Sequence, residues 1–282
     1  MLRVRARAFR LFVAALLASL GGAAPAAWAE RVSFRTEDGF TLVGDLRPGA
    51  PEAPSVILLH MYRSNRGAWA PLVPKLRDAG FTVLAFDQRG HGESTSRIGG
   101  ELRVAEIPRD EFGAVLRNGV RDVAAAKALL AERGLGRGGL ALVGASYGCS
   151  VALLASQALP GIGAVALLSP GAAYFGVDVL PAARAFRGPL LGVAAEDDPA
   201  SARGVRAIVA AHPDPDELVV YPSGGHGTRL FGPRPDLAAR VVEFLARSLR
   251  HASWNPLPGR SGTEVVFLSS GESPWTSSAP TF

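Results

Sequence analysis

A single cysteine, Cys149, among 282 residues leaves no intramolecular disulfide, so the fold must be held together by burial of apolar surface. Five histidines occur, but no two have metal-ligand spacing and nothing resembles His-Glu-x-x-His. Gly161-Ile-Gly163 lacks the third glycine of a dinucleotide-binding turn, and no Gly-Lys-Ser/Thr phosphate loop is present. The body has no basic stripe interleaved with aromatics, which argues against nucleic acid as a partner. Repeats and heptads are also missing, which argues against a purely structural role. The expected chemistry therefore needs neither metal nor cofactor.

Negative charge is missing from the start of the chain. Arg3, Arg5, Arg7 and Arg10 precede any acid, the first of which is Glu30. These arginines account for most of the formal charge of +5, because the remaining body has 26 basic and 25 acidic side chains. An apolar run from Leu11 to Leu20 follows, and then Ala27-Trp28-Ala29 as a small-x-small site. The pattern predicts a signal peptide over residues 1–29, with periplasmic or extracellular export. The apolar core, about ten residues against the ~20 that span a bilayer, argues against stable membrane insertion.

The chain, 48% hydrophobic overall, is large enough for one α/β domain over residues 30–250. Alternating stretches around Glu37-Asp38-Gly39 predict an antiparallel hairpin. Continuous apolar runs then recur at Val56–Leu59, Phe81–Phe86, Leu140–Ala145, Ala164–Leu168 and Pro189–Ala194. Runs of that kind suit strands covered on both faces, as in parallel sheets. Helical spacing separates them at Trp69–Leu76, Val115–Glu132 and Ser201–Ala211, and again after Glu217–Tyr221 at Pro235–Leu249. The alternation predicts a doubly wound, mostly parallel sheet of about eight strands, with no room for a large cap domain between Leu168 and Pro189. Residues 90–112 form the longest irregular stretch of the body. Residues 251–282 turn Ser-, Pro- and Gly-rich, with one apolar run at Val265–Leu268, and read as a mobile tail.

The chemistry centres on Leu140-Ala-Leu-Val-Gly-Ala-Ser-Tyr-Gly-Cys149, a strand, a Gly-x-Ser-x-Gly turn and a helix start. Such a turn presents Ser146 as a nucleophile. A serine hydroxyl must lose its proton as it attacks, so it needs a histidine, and the histidine needs a carboxylate to fix its tautomer. His226 in Ser223-Gly-Gly-His-Gly227 and Asp198 in Ala195-Glu-Asp-Asp-Pro199 each follow a predicted strand, in the order Ser, Asp, His. Asp197 is the alternative acid; if unused, it is solvated or caps the helix near Ser201. Cys149 reads as a small buried hydrophobe. His60 and His91 read as structural, and His212 and His251 as surface residues. Arg89 and Asp122 either form a buried ion pair or face water. Tyr147 either lines the acyl pocket or simply packs.

These motifs resemble the α/β-hydrolase superfamily over about Arg31 to Arg250. Leu58-Leu-His-Met-Tyr62 resembles its strand and oxyanion loop, Phe86-Asp-Gln-Arg-Gly-His-Gly-Glu-Ser94 its Asp-x-Arg-Gly-x-Gly-x-Ser loop, and Gly224-Gly-His-Gly227 its catalytic-histidine loop. The hairpin-led, single-domain form is most similar to exported esterases of the dienelactone-hydrolase-like and related groups. The resemblance implies oxyanion donation by the backbone N–H groups of Tyr147 and Met61. It also makes Asp198 the acid, from its spacing to Ala195. Met61 departs from the family's usual glycine, so a side chain is expected to narrow the pocket. The activity implied is that of a serine hydrolase acting on a small carboxylic ester, with a rather open site. A peptidase or thioesterase of the same fold remains the enzymatic alternative, and a catalytically silent ligand-binding protein the alternative of another class. Oligomeric state is not legible.

Overall fold

The computed structural model describes residues 29–214 and 217–249. The predicted signal peptide up to residue 28 and the tail from residue 251 lie outside the described residues. No helix among the described residues is long and apolar enough to cross a membrane.

Eight strands form one sheet in the order β1-β2-β4-β3-β7-β8-β9-β10. The hairpin strands are β1 (Glu30–Arg35) and β2 (Thr41–Arg47); the next pair is β3 (Ser55–Leu59) and β4 (Thr82–Phe86). Beyond them run β7 (Leu140–Ala145), β8 (Ile162–Leu168), β9 (Leu190–Ala195) and β10 (Glu217–Tyr221). Because β2 pairs antiparallel with both β1 and β4, it alone runs against the rest, as a hairpin feeding a parallel sheet requires.

Two apolar layers cover the sheet, and the period-two alternation of the strands distributes residues between them. Ile57, Leu59 and Leu142 face a core completed by α2 (Phe112–Glu132), α3 (Tyr147–Ala158), α4 (Leu180–Ala185) and α5 (Pro199–Ala211). Val56, Leu58 and Val143 face the other, closed by α1 (Val73–Asp78) and α6 (Leu237–Ser248). Only a 3-10 turn and the short α4 separate β8 from β9, so no cap domain is inserted there.

Two local expectations change. The helical pattern predicted from Trp69 divides into a 3-10 turn, Arg66–Trp69, and α1. Pro71 and Pro74 lack the N–H groups that a continuous ladder would need, and Pro74 is tolerated only within the first turn of α1. The irregular stretch after Gly90 contains the two-residue strands β5 (Ser96–Arg97) and β6 (Gly100–Glu101). Asp87, wholly buried, anchors the start of this loop by accepting from the N–H groups of Arg66 at 2.7 Å and Glu93 at 2.9 Å.

Candidate active site

Ser146 sits between β7 and α3 with φ 51° and ψ −115°, a conformation that a non-glycine residue adopts only when its surroundings enforce it. The flanking glycines allow the turn. A Cβ on Gly144 would lie 2.4 Å from the Gly148 carbonyl oxygen, and one on Gly148 would lie 2.1 Å from that of Leu59. Ser146 N–H donates to the Leu168 carbonyl at 2.8 Å, fixing the turn to the neighbouring strand.

The three residues expected to act together are adjacent. His226 Nε2 is 2.6 Å from Ser146 Oγ, and His226 Nδ1 is 2.5 Å from Asp198 Oδ2. Asp198 also begins α5, where its other oxygen accepts from Ser201 N–H at 3.4 Å. Burial pushes the Asp198 carboxyl up, but hydrogen bonds from Ser201 and His226 outweigh it and hold the group below its ordinary range. Ser146 is buried, whereas the His226 side chain is 38% exposed, so the chain of bonds opens to solvent at the imidazole.

Of the two roles expected for an unused Asp197, the helix cap falls to Asp198, and Asp197 is exposed. Its carboxylate instead accepts from the backbone N–H groups of Gly224 and Gly225 at 3.0 to 3.3 Å, and these bonds hold its pKa down. Adjacent carboxylates thus divide the work, one binding the imidazole and the other the loop that carries it. The doubled Asp was visible in the sequence; its second target was not.

The register of β3 with β7 pairs Leu59 with Gly144, so Met61 and Ser146 each lie two residues beyond that pair. Tyr147 opens α3, so its N–H has no acceptor within its own helix. The expected narrowing of the pocket by Met61 is redirected. Its sulfur lies over the histidine loop, 2.2 Å from where a Gly227 Cβ would stand and 3.9 Å from Thr228 Oγ1.

His60 and His91 are scaffold groups. His60 Nδ1–H donates to the Met61 carbonyl at 2.7 Å while Nε2 accepts from Gln88 N–H at 3.0 Å, and burial lowers its pKa to about 3. His91 Nδ1 lies 3.0 Å from the Arg89 carbonyl oxygen. His212 corrects the surface expectation: it is 4% exposed and packs against Phe186. His251 lies outside the described residues. Cys149 is fully buried, and burial pushes its thiol pKa far up, as expected of an inert core residue. Tyr147 packs with His91 and Phe112 at 1% exposure, which decides for its packing role.

Arg89 and Asp122 form the buried pair, joined at 2.7 Å between Nη2 and Oδ1, and Asp38 binds the same guanidinium at 2.7 Å. Among the described residues, no group of three or more His, Cys, Asp or Glu side chains could hold a metal ion. A cavity of about 550 Å³ between the Gly90 loop and α2, lined in part by Leu102, Ile107 and Val115, includes none of Ser146, His226 and Asp198.

A serine turn, an ordered histidine and a carboxylate at the carboxyl edge of a mostly parallel sheet define the α/β-hydrolase class. Residues 54–178 match the family model described as the α/β hydrolase fold. The chain has the α/β-hydrolase fold. Among solved structures, an esterase from Pyrococcus furiosus is similar with a TM-score of 0.65 and 22% identity, covering 79% of this chain and 93% of that one. A dienelactone hydrolase from Anabaena variabilis gives 0.64 and 20%, covering 79% and 98%. Epoxide hydrolase B of Mycobacterium tuberculosis is 36% identical over 67 residues, 23% of this chain. That match spans only 19% of the epoxide hydrolase.

Proposed function

We propose that this protein is an exported serine hydrolase that cleaves a small carboxylic ester through an acyl-enzyme. The observation that carries the reading is the unbroken hydrogen-bond chain from Ser146 Oγ through both nitrogens of His226 to Asp198. In the first half-reaction His226 Nε2 takes the hydroxyl proton as Ser146 Oγ bonds to the carbonyl carbon. Asp198 fixes the Nδ1–H tautomer and stabilises the imidazolium. The carbonyl oxygen gains the electron pair and is met by the N–H groups of Tyr147 and Met61. Each such donor is worth about 3 to 4 kcal/mol to a transition state of this kind. Collapse expels the alcohol with the proton from His226, and water activated by the same imidazole releases the acid.

The nucleophile's identity favours acyl transfer over epoxide opening. A serine that opened an epoxide would form an ether, which water does not cleave under mild conditions, whereas an acyl-serine turns over. Export rests on the Arg-rich start, the apolar run and the small-x-small site of residues 1–29.

Side-by-side kinetics on p-nitrophenyl acetate, the matching acetyl thioester and an aminoacyl amide test the substrate class. The ester is expected to have the highest kcat/KM, and Ser146→Ala to lower it by about 10⁴-fold or more. Preference for the thioester or the amide, or turnover that survives the substitution, would contradict the proposal.

A further inference from the structure

Tyr174 had no sequence signal, yet its phenol reaches the site. It opens the 3-10 turn Tyr174–Gly176 on the connection between β8 and α4. The hydroxyl lies 3.2 Å from Ser201 Oγ and 3.3 Å from the Ser169 carbonyl oxygen, and Ser201 Oγ in turn lies 3.3 Å from His226 Nδ1. The ring lies against the backbone of Gly171, where a Cβ would stand 2.6 Å from it. Phe175, the next residue, is held in the left-handed region at φ 52° and packs at a tilt against Phe112 with centroids 4.6 Å apart. A bulky side chain in that conformation marks a locally enforced backbone.

The sheet order supplies the direction. β3 and β8 flank β7 on opposite sides, so Met61, after β3, and Tyr174, after β8, approach Ser146 from opposite sides. His226 follows β10, two strands beyond β8, and therefore lies on Tyr174's side. An ester whose carbonyl oxygen points to Met61 and Tyr147 must turn its alcohol oxygen towards His226, the group that protonates it. We propose that the Tyr174 hydroxyl donates a hydrogen bond to the alcohol oxygen of the ester as the carbon–oxygen bond breaks, making it a catalytic residue on the leaving-group side. The role rests on the serine-hydrolase reading.

The electron pair of the breaking bond goes to the alcohol oxygen, which takes its proton from His226 Nε2; Tyr174 keeps its own proton throughout. The phenol is suited to this. Its present bonds exceed the usual ~2.7 to 2.8 Å of O–H···O contacts, so little is lost when the proton swings to a stronger acceptor. Burial raises its pKa and keeps it a neutral donor, although bonds to Ser201 and Ser146 draw it partly down.

The test compares Tyr174→Phe with the unaltered protein on p-nitrophenyl acetate and ethyl acetate. A poor leaving group needs the donor and a good one does not. kcat/KM on ethyl acetate should fall by about tenfold to a hundredfold, against less than about threefold on p-nitrophenyl acetate. Equal loss on both esters, or no loss, overturns the role. As a second measurement that preserves ring and packing, 3-fluorotyrosine at position 174 makes the phenol a stronger donor. The ratio of ethyl to p-nitrophenyl ester turnover should rise, and an unchanged ratio counts against the proposal. If the unaltered protein turns over neither ester, the serine-hydrolase reading falls and this role with it; an active protein with equal losses overturns Tyr174 alone.

Discussion

Two charged networks occupy the same edge of the sheet and differ in what can reach them. In the Arg89–Asp122 pair, side-chain exposure is 2% and 0%, and Asp122 also accepts from the Arg89 backbone N–H on the loop after β4. In the His226–Asp198 pair it is 38% and 17%, and the imidazole's second nitrogen meets a hydroxyl. A sealed pair whose groups satisfy each other has no route to a substrate and serves to hold the loop. An open pair that ends on a strained serine has a group left to give and somewhere to give it. Burial, rather than charge, separates scaffold from chemistry here.

If that contrast is right, substitutions in the two networks should fail in opposite ways. Asp198→Asn keeps an acceptor for Ser201 N–H at the start of α5 but loses the carboxylate that sets the His226 tautomer. Ester turnover should fall by about 10⁴-fold. Stability in urea unfolding should change by less than about 1 kcal/mol, the scale of a helix cap that is here retained. Arg89→Ala does the reverse. It strands Asp122 in the core without its partner, and denaturant unfolding should report a loss of about 3 to 5 kcal/mol, with kcat little changed in whatever fraction stays folded. A variant of either network that damaged rate and stability equally would erase the distinction.

Asp197→Ala sharpens the comparison within the open network, because it touches the histidine loop and not the imidazole. Freed from its anchor at Gly224 and Gly225, the loop should misplace His226. kcat should fall by about tenfold to a hundredfold while KM holds, and Asp197→Asn, which still presents one acceptor oxygen, should recover part of it. Loss of KM alone would point to substrate contact instead.

How far the sequence reached follows the range of the interactions. Buried strands announced themselves as unbroken apolar runs, because both faces of a parallel sheet need covering. The turn at Ser146 was legible because only small neighbours fit it, and the order Ser146, Asp198, His226 because each follows a strand. Contacts set by how loops fold back were not legible. Nothing local distinguishes the Asp197 carboxylate bound to two glycine amides from a solvated one. Met61 follows β3 as expected, but the direction of its side chain depended on the approach of Gly227. Tyr174 carried no motif, and its relevance came only from strand order. His212 sits in a polar stretch whose surroundings gave no sign that its ring turns inward onto Phe186.

The most direct test of the central claim is covalent labelling. A fluorophosphonate, which traps only an activated serine, should modify the folded protein once, at the peptide bearing Ser146. Labelling should vanish in Ser146→Ala and slow sharply in Asp198→Asn while both remain folded. No labelling of folded, monodisperse protein, or labelling at a different serine, would contradict the assignment of Ser146 as the nucleophile.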